Sequence, residues 1–152
     1  MVNGIDIRHI DSNELEELLD LYSHLHRNDS KLVRDENLYT LWEEMLTDRN
    51  MHILVTEEDQ KLVSSCVLAI IRNLTRGGRP YGIIENVVTH SGYRLKGHGK
   101  AIIQEALDIA WKNNCYKLML MTGRSDDGTL KFYETCGFVR GVKTGFIAYP
   151  DE

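Results

Sequence analysis

The stretch Arg94-Leu95-Lys96-Gly97-His98-Gly99-Lys100 concentrates the residue types that hold an anion. It joins a β-rich run, Ile83-Ile84-Glu85-Asn86-Val87-Val88-Thr89, to a helix-period run that begins near Lys100. A strand, a Gly-bearing basic turn and a helix start leave several backbone N–H groups without intrahelical partners and pointing at one spot. Gly97 and Gly99 permit conformations that a Cβ obstructs and let the backbone approach a bulky ligand closely. Arg94, Lys96 and Lys100 surround the same spot with positive charge, so phosphate or pyrophosphate is the simplest ligand. A solvated surface turn has a similar composition, and the motif alone leaves both readings open. No Gly-x-x-x-x-Gly-Lys-Ser/Thr is present, which excludes a P-loop. Ile102 stands where a dinucleotide fingerprint requires its third glycine.

Arg94-x-x-Gly97-x-Gly99 resembles the acetyl-CoA pyrophosphate loop of the GNAT superfamily of N-acetyltransferases, Arg/Gln-x-x-Gly-x-Gly/Ala. A second segment, Leu130-Lys131-Phe132-Tyr133-Glu134-Thr135-Cys136-Gly137-Phe138, is similar to that family's Leu/Phe-Tyr-x-x-x-Gly-Phe near the C-terminus. The order and spacing of the two fit, and the resemblance covers essentially the whole chain. It implies acetyl-CoA as acyl donor and no metal. Arg94, Leu95, Lys96, Gly97, His98, Gly99 and Lys100 would hold the diphosphate. Backbone groups of Val87, Val88 and Thr89 would pair with the pantetheine arm as an added strand does. Asp126 stands where the family often has an Asn that bonds this arm, a departure that places one cofactor contact in question; a helix cap is the other reading of Asp126 or Asp127.

Acetyl transfer to an amine requires a proton acceptor for the nucleophile, a donor for the leaving thiolate and a hydrogen-bond donor for the developing oxyanion. The resemblance assigns the acid to Tyr133, which is protonated at neutral pH with a reference pKa of about 10 against about 8.5 for a thiol. The N–H of Val88 is the expected oxyanion donor. Glu85 sits on an otherwise apolar strand, where a carboxylate needs a reason. It either accepts the amine proton or binds the amine, or it pairs with a neighbouring Arg; Asn86 would orient it. His90, after the strand, is a weaker base candidate. Cys136 reads more simply as a small buried hydrophobe than as a nucleophile.

These groups need a scaffold, and the hydrophobic pattern supplies an α/β one. Ile5 to Arg8 alternates as a short strand, and Asp11 with Glu14 forms a capping pair for a helix with Leu15, Leu18, Leu19, Tyr22 and Leu25 inward. A second helix follows Asp35, with Leu38, Leu41, Trp42, Met45 and Leu46 on one side. Met51–Glu57 and Leu62–Ile71 read as strands joined by a turn at Glu58-Asp59-Gln60. Arg72–Pro80 is a loop and Gly82–Thr89 a strand. A helix runs from His98 to Asn113, with Ile102, Ile103, Ala106, Leu107 and Ala110 inward. Lys117–Thr122 is a strand, Asp127–Cys136 a helix stopped by Gly137, and Phe138–Ala148 two further strands. The resemblance implies a mixed twisted sheet of six to seven strands, about four helices, and a fourth and fifth strand that splay apart around the cofactor.

The 152 residues, 42% hydrophobic and 27% charged, suit one domain spanning 1–152. A formal charge of −5 argues against nucleic acid, and no apolar run reaches the length of a membrane span. Three widely spaced cysteines, Cys66, Cys115 and Cys136, suggest reduced thiols, and the first residues lack a signal-peptide pattern; a cytoplasmic protein is expected. Asn73-Leu74-Thr75 has no meaning as a glycosylation acceptor without secretion. Ile84–Val88, Tyr93-Arg94 and Asn114–Lys117 resemble glucosamine-phosphate N-acetyltransferases within the superfamily, which implies a small primary amine such as an amino-sugar phosphate. Polar residues His24, His26, Arg27 and Arg34, and the basic loop Arg72, Arg76 and Arg79, are the candidates to meet that acceptor. A protein or peptide N-acetyltransferase and a non-catalytic acyl-CoA sensor are the alternatives. Many relatives pair, so a homodimer is expected.

Overall fold

Alternating apolar residues from Met51 to Ile71 form the middle of the sheet in the computed structural model, which describes residues 1–26 and 28–151. The sheet contains β1 (Ile7–His9), β2 (Met51–Glu58), β3 (Lys61–Ile71), β4 (Tyr81–Thr89) and β5 (Leu118–Leu120), in that spatial order. β1 to β4 are antiparallel neighbours, and β5 joins β4 in parallel, so the sheet is mixed as expected. β2 and β3 meet through Asp59 and Gln60, both at positive φ (54° and 60°), which is the geometry of a two-residue hairpin turn.

Each face of the sheet carries helices. On one side, α1 (Leu15–Tyr22) and α2 (Glu36–Thr47) supply Leu15, Leu18, Leu21, Leu38 and Trp42 to a core with Ile53, Val55, Leu62, Val67 and Val88. Trp42 also donates its indole N–H to the Ser12 carbonyl at 2.9 Å, fixing α2 to the start of α1. Leu54, Cys66, Leu68 and Ile84 are buried on the other side, by the alternation of strand side chains. There α3 (His98–Lys112) buries Ala101, Ile102, Ile103, Ala106, Ile109 and Ala110. The expected capping pair at α1 is present: the Glu14 carboxylate accepts the Asp11 N–H at 2.7 Å. Arg8 grips the same carboxylate with two bonds of 2.7 and 2.8 Å.

The chain divides after Leu120, and residues from Met121 onward form a second unit. Its one helix is α4 (Asp127–Thr135), capped by Asp126, whose carboxylate accepts the Thr129 N–H at 3.0 Å. Gly137 (φ 96°) stops it: the Gly137 N–H reaches the Glu134 carbonyl and the Phe138 N–H reaches the Tyr133 carbonyl. That is a Schellman stop, and it brings the rings of Tyr133 and Phe138 within 6.4 Å, as such stops do for the flanking apolar pair.

The sheet has five strands rather than six to seven, because Phe138–Ala148 forms no strand. An extended segment needs a partner for its N–H and C=O groups. In this stretch Gly141 lies at φ 78° and the apolar Val142, Phe146 and Ile147 are exposed, so alternation alone did not produce a ladder. Strand ends also shift: the first is Ile7–His9 and the last Leu118–Leu120, shorter than Lys117–Thr122.

The Arg8–Glu14 pair predicts how stability responds to acid. The guanidinium holds the Glu14 carboxyl below its ordinary range, so its contribution is complete above the unfolded pKa of about 4.3 and fades as pH falls. Glu14→Gln should melt below the wild type at pH 7, and the gap should close as pH falls below about 4. A gap that stays constant with pH would contradict the ion-pair assignment; thermal unfolding across pH measures it.

Candidate cofactor and active site

Where β5 stops, β4 continues. Gly82, Ile83 and Ile84 pair with Leu118, Met119 and Leu120, and beyond them residues 85–89 face β3 on one side and no strand on the other among the described residues. β4 therefore runs on past the end of β5, leaving the edge that the expected splay would open. Within this stretch the register slips. Ser65 opposes Val88 but Val67 opposes Glu85, so Asn86 and Val87 together face Cys66. This is a β-bulge, and Asn86 occupies its left-handed position at φ 51°, a conformation Asn tolerates better than most residues. Glu85 and Asn86 are consequently both exposed in a strand whose other residues are buried or half-buried. Burial pushes the Tyr22 phenol up to about 12, with Asn86 acting in the opposite direction. Val88 is buried, and its carbonyl accepts the Ser64 hydroxyl at 2.9 Å.

The anion loop follows directly. His90 returns its N–H to the Val63 carbonyl, and the Arg94 Nε donates to the Thr89 carbonyl at 3.3 Å. Leu95 then lies at φ 63° with its side chain fully exposed, and Gly97 at φ 94° forms the N-cap of α3. A Cβ on Gly97 would meet only the Ile5 Cδ1 at 3.6 Å, so the dihedral rather than crowding requires glycine. The Ala101 N–H closes the first turn onto the Gly97 carbonyl. The amides of His98, Gly99 and Lys100 precede that bond and have no intrahelical carbonyl to meet. They point out of the helix start, where its dipole favours negative charge.

The loop's side chains divide into two groups. Arg94 and Lys100 are exposed. Lys96 instead donates to Glu58 at 2.8 Å, and its ammonium lies 4.6 Å from the Tyr93 ring centroid. His98 is turned inward and 3% exposed, bonded to the Thr56 hydroxyl at 3.0 Å and to Glu58 at 2.6 Å. Lys96 first, and His98 second, hold the Glu58 carboxyl below the usual carboxylate range.

The remaining sequence candidates fall in several places. Tyr133 and Asp126 belong to the second unit. Tyr133 is half-buried between Phe132 and Phe138, and the Asp126 carboxylate is engaged by Thr129 and by Arg124 at 3.0 Å. His24 stacks on His90 with ring centroids 4.1 Å apart. Arg34 is committed to Glu16 through two bonds, of 2.9 and 2.8 Å. Arg79 donates to the Asn114 and Cys115 carbonyls and Arg76 lies over Tyr116, which makes this basic loop a clasp on the end of α3. Arg27 lies outside the described residues. Cys66, Cys115 and Cys136 are buried.

Two features escaped the sequence reading. The bulge had a signal in Glu85-Asn86, adjacent polar residues that break strand alternation. The inward His98 had one too, since it precedes Ile102 by one helical turn on the buried stripe.

Residues 15–138 match the Acetyltransferase (GNAT) family. A glucosamine 6-phosphate N-acetyltransferase of Trypanosoma brucei brucei is 42% identical over 78 residues, which are 51% of this chain and 51% of the relative; the match thus spans about half the length of each. A solved structure from Agrobacterium tumefaciens, itself assigned to the acetyltransferases, is 40% identical with a TM-score of 0.89, covering 96% of this chain and 100% of that one. The glucosamine-6-phosphate N-acetyltransferase structure from Arabidopsis thaliana is 25% identical with a TM-score of 0.83, covering 98% and 100%.

The left-handed Gly97 yields a direct test. Forcing a β-branched residue there costs about 1–3 kcal/mol of strain, less than a domain stability of about 5–15 kcal/mol. Gly97→Val should fold, yet calorimetric titration should detect no coenzyme A binding. Retained binding would refute the loop assignment.

Proposed function

The chain belongs to the acetyltransferase (GNAT) family; from that premise we propose that it is an N-acetyltransferase that transfers acetyl from acetyl-CoA directly to the primary amine of a small molecule. The observation that carries this reading is the succession of an unpaired β4 edge, a bulge and a helix start within residues 85–100. The diphosphate binds at the amides of residues 97–100, with Arg94 and Lys100 supplying charge. The pantetheine arm runs along Val87, Val88 and Thr89, where backbone hydrogen bonds serve any chain that presents amides in strand register. We read residues 1–152 as one domain, a reading supported by a family match that continues across Leu120.

In the reaction the acceptor nitrogen gives up a proton and forms its bond to the thioester carbon, and the C–S bond breaks to release the thiolate of CoA. Glu85, exposed beside the bulge, accepts that proton directly or through water. The bulge sets Asn86 and Val87 against one partner residue, and the amide of the adjacent Val88 stabilises the oxyanion. Tyr133 protonates the departing sulfur. Its assignment rests on the family motif, and the Schellman stop explains why that motif keeps Gly137 and Phe138 beside it.

For the acceptor we favour an amino-sugar phosphate, on the names of the trypanosomal, fission-yeast and Arabidopsis relatives. An exposed carboxylate at Glu85 suits the ammonium of such a sugar. A panel of amines, with thiol release from acetyl-CoA as the signal, tests this. Glucosamine 6-phosphate should be turned over in preference to peptide amines, and cofactor binding without acceptor-dependent release would contradict the reading.

Tyr133→Phe should lower kcat by about 10²-fold or more, the usual contribution of a positioned acid, while the Kd for CoA stays near that of the wild type. Unchanged turnover would remove Tyr133 as the acid. Glu85→Gln should lower turnover most at pH values where the amine is charged, and a uniform loss across pH would leave Glu85 an amine-binding group only.

A further inference from the structure

We propose that Glu58 is a positioning residue for the anion loop: through His98 and Lys96 it fixes the first turn of α3 and so sets the affinity for coenzyme A without contacting it. The inference rests on the reading of residues 94–100 as the diphosphate site. Three residues of the loop region are fastened to the end of the β2–β3 hairpin. Tyr93 donates its hydroxyl to Asp59 at 2.9 Å, Lys96 donates to one Glu58 oxygen at 2.8 Å, and the His98 Nε2 meets the other at 2.6 Å. The second ring nitrogen of His98 is bonded to Thr56 at 3.0 Å. Thr56 and Glu58 are two apart on β2 and present their side chains on one face, so the two bonds hold the imidazole from both ends.

The ring is 3% exposed, and both of its nitrogens are satisfied only by these two partners. Displacing it would leave buried polar atoms unpaired, which ties the ring, and the helix start that carries it, to one position. The loop backbone itself has no ladder to hold it, and it passes through two left-handed residues, Leu95 and Gly97. The side-chain ties therefore take the part that sheet pairing takes elsewhere. Convergent amides bind an anion well only when they are already in place.

Charge and position oppose each other at Glu58, which makes the proposal testable. As a bare negative charge near an anion site Glu58 would weaken binding, so its removal would tighten it. As the partner of His98 it strengthens binding, so its removal loosens it. Glu58→Gln deletes the charge and keeps an acceptor for His98; Glu58→Ala deletes both. Calorimetric titration with coenzyme A should show Kd raised about tenfold in Glu58→Ala, the loss expected for a charge-assisted bond. Glu58→Gln should stay within about twofold of wild type, and Thr56→Val should weaken binding about threefold. At saturating acetyl-CoA, kcat should be the same in all three. Equal Kd in Glu58→Ala and wild type, or tighter binding in both Glu58 variants, would overturn the proposal. If Glu58→Ala does not fold, an unchanged Kd in Thr56→Val overturns it. A wild-type protein that binds no coenzyme A would instead overturn the reading of the loop itself.

Discussion

The structure depends on a strand that outlives its partner. β5 ends beside Ile84 of β4, and the last five residues of β4 keep one edge without a strand to pair with among the described residues. Unpaired strand edges are ordinarily a hazard, because any extended chain can add to them. Here the exposure is short, interrupted by a bulge at Asn86 and bordered by the Glu85 carboxylate. On the proposed reading a ligand that offers amides in strand spacing uses this edge, whereas a long foreign strand has no continuous ladder to extend. The helix start that follows adds the complementary element, donors without acceptors, at the end of the same edge. In the proposed site, backbone groups left over from sheet and helix thus come before any side chain.

Side chains then stabilise that arrangement. On the α3 side, Thr56 and Glu58 hold His98. The left-handed entry to α3 is thus tied to a neighbouring strand, so local strain there is carried by the surrounding packing. One result is a division of labour among the basic residues of the loop. Lys96 is paired with Glu58, whereas Arg94 gives only its Nε to the Thr89 carbonyl and Lys100 is exposed.

Much of this was legible in the sequence. Apolar spacing located all four helices and the five strands, since burial of a face imposes a period of about 3.6 or 2. The Gly-bearing basic turn marked the loop because left-handed residues and helix starts have strong local chemistry. Gly137 and Phe138 were visible as a motif whose physical meaning, a Schellman stop packing Phe138 on Tyr133, emerged only from the dihedrals. Segment 138–148 was misread as two strands, because alternation records what a residue would bury and not whether a partner edge is present. The commitments of Arg34 to Glu16 and of Arg79 to the carbonyls near Cys115 were also out of reach. Both link residues far apart in the chain, and a charged side chain gives no local signal of its partner.

The central claim, that the β4 edge and the α3 start together form one cofactor cradle, is tested most directly by amide resonances recorded during titration with coenzyme A. Binding should shift the amides of Val87, Thr89, Gly97, His98, Gly99 and Lys100 together along a single isotherm, leaving those of β1 unmoved. Shifts confined to either segment alone, or an isotherm for the β4 amides that differs from that of the loop, would contradict the account.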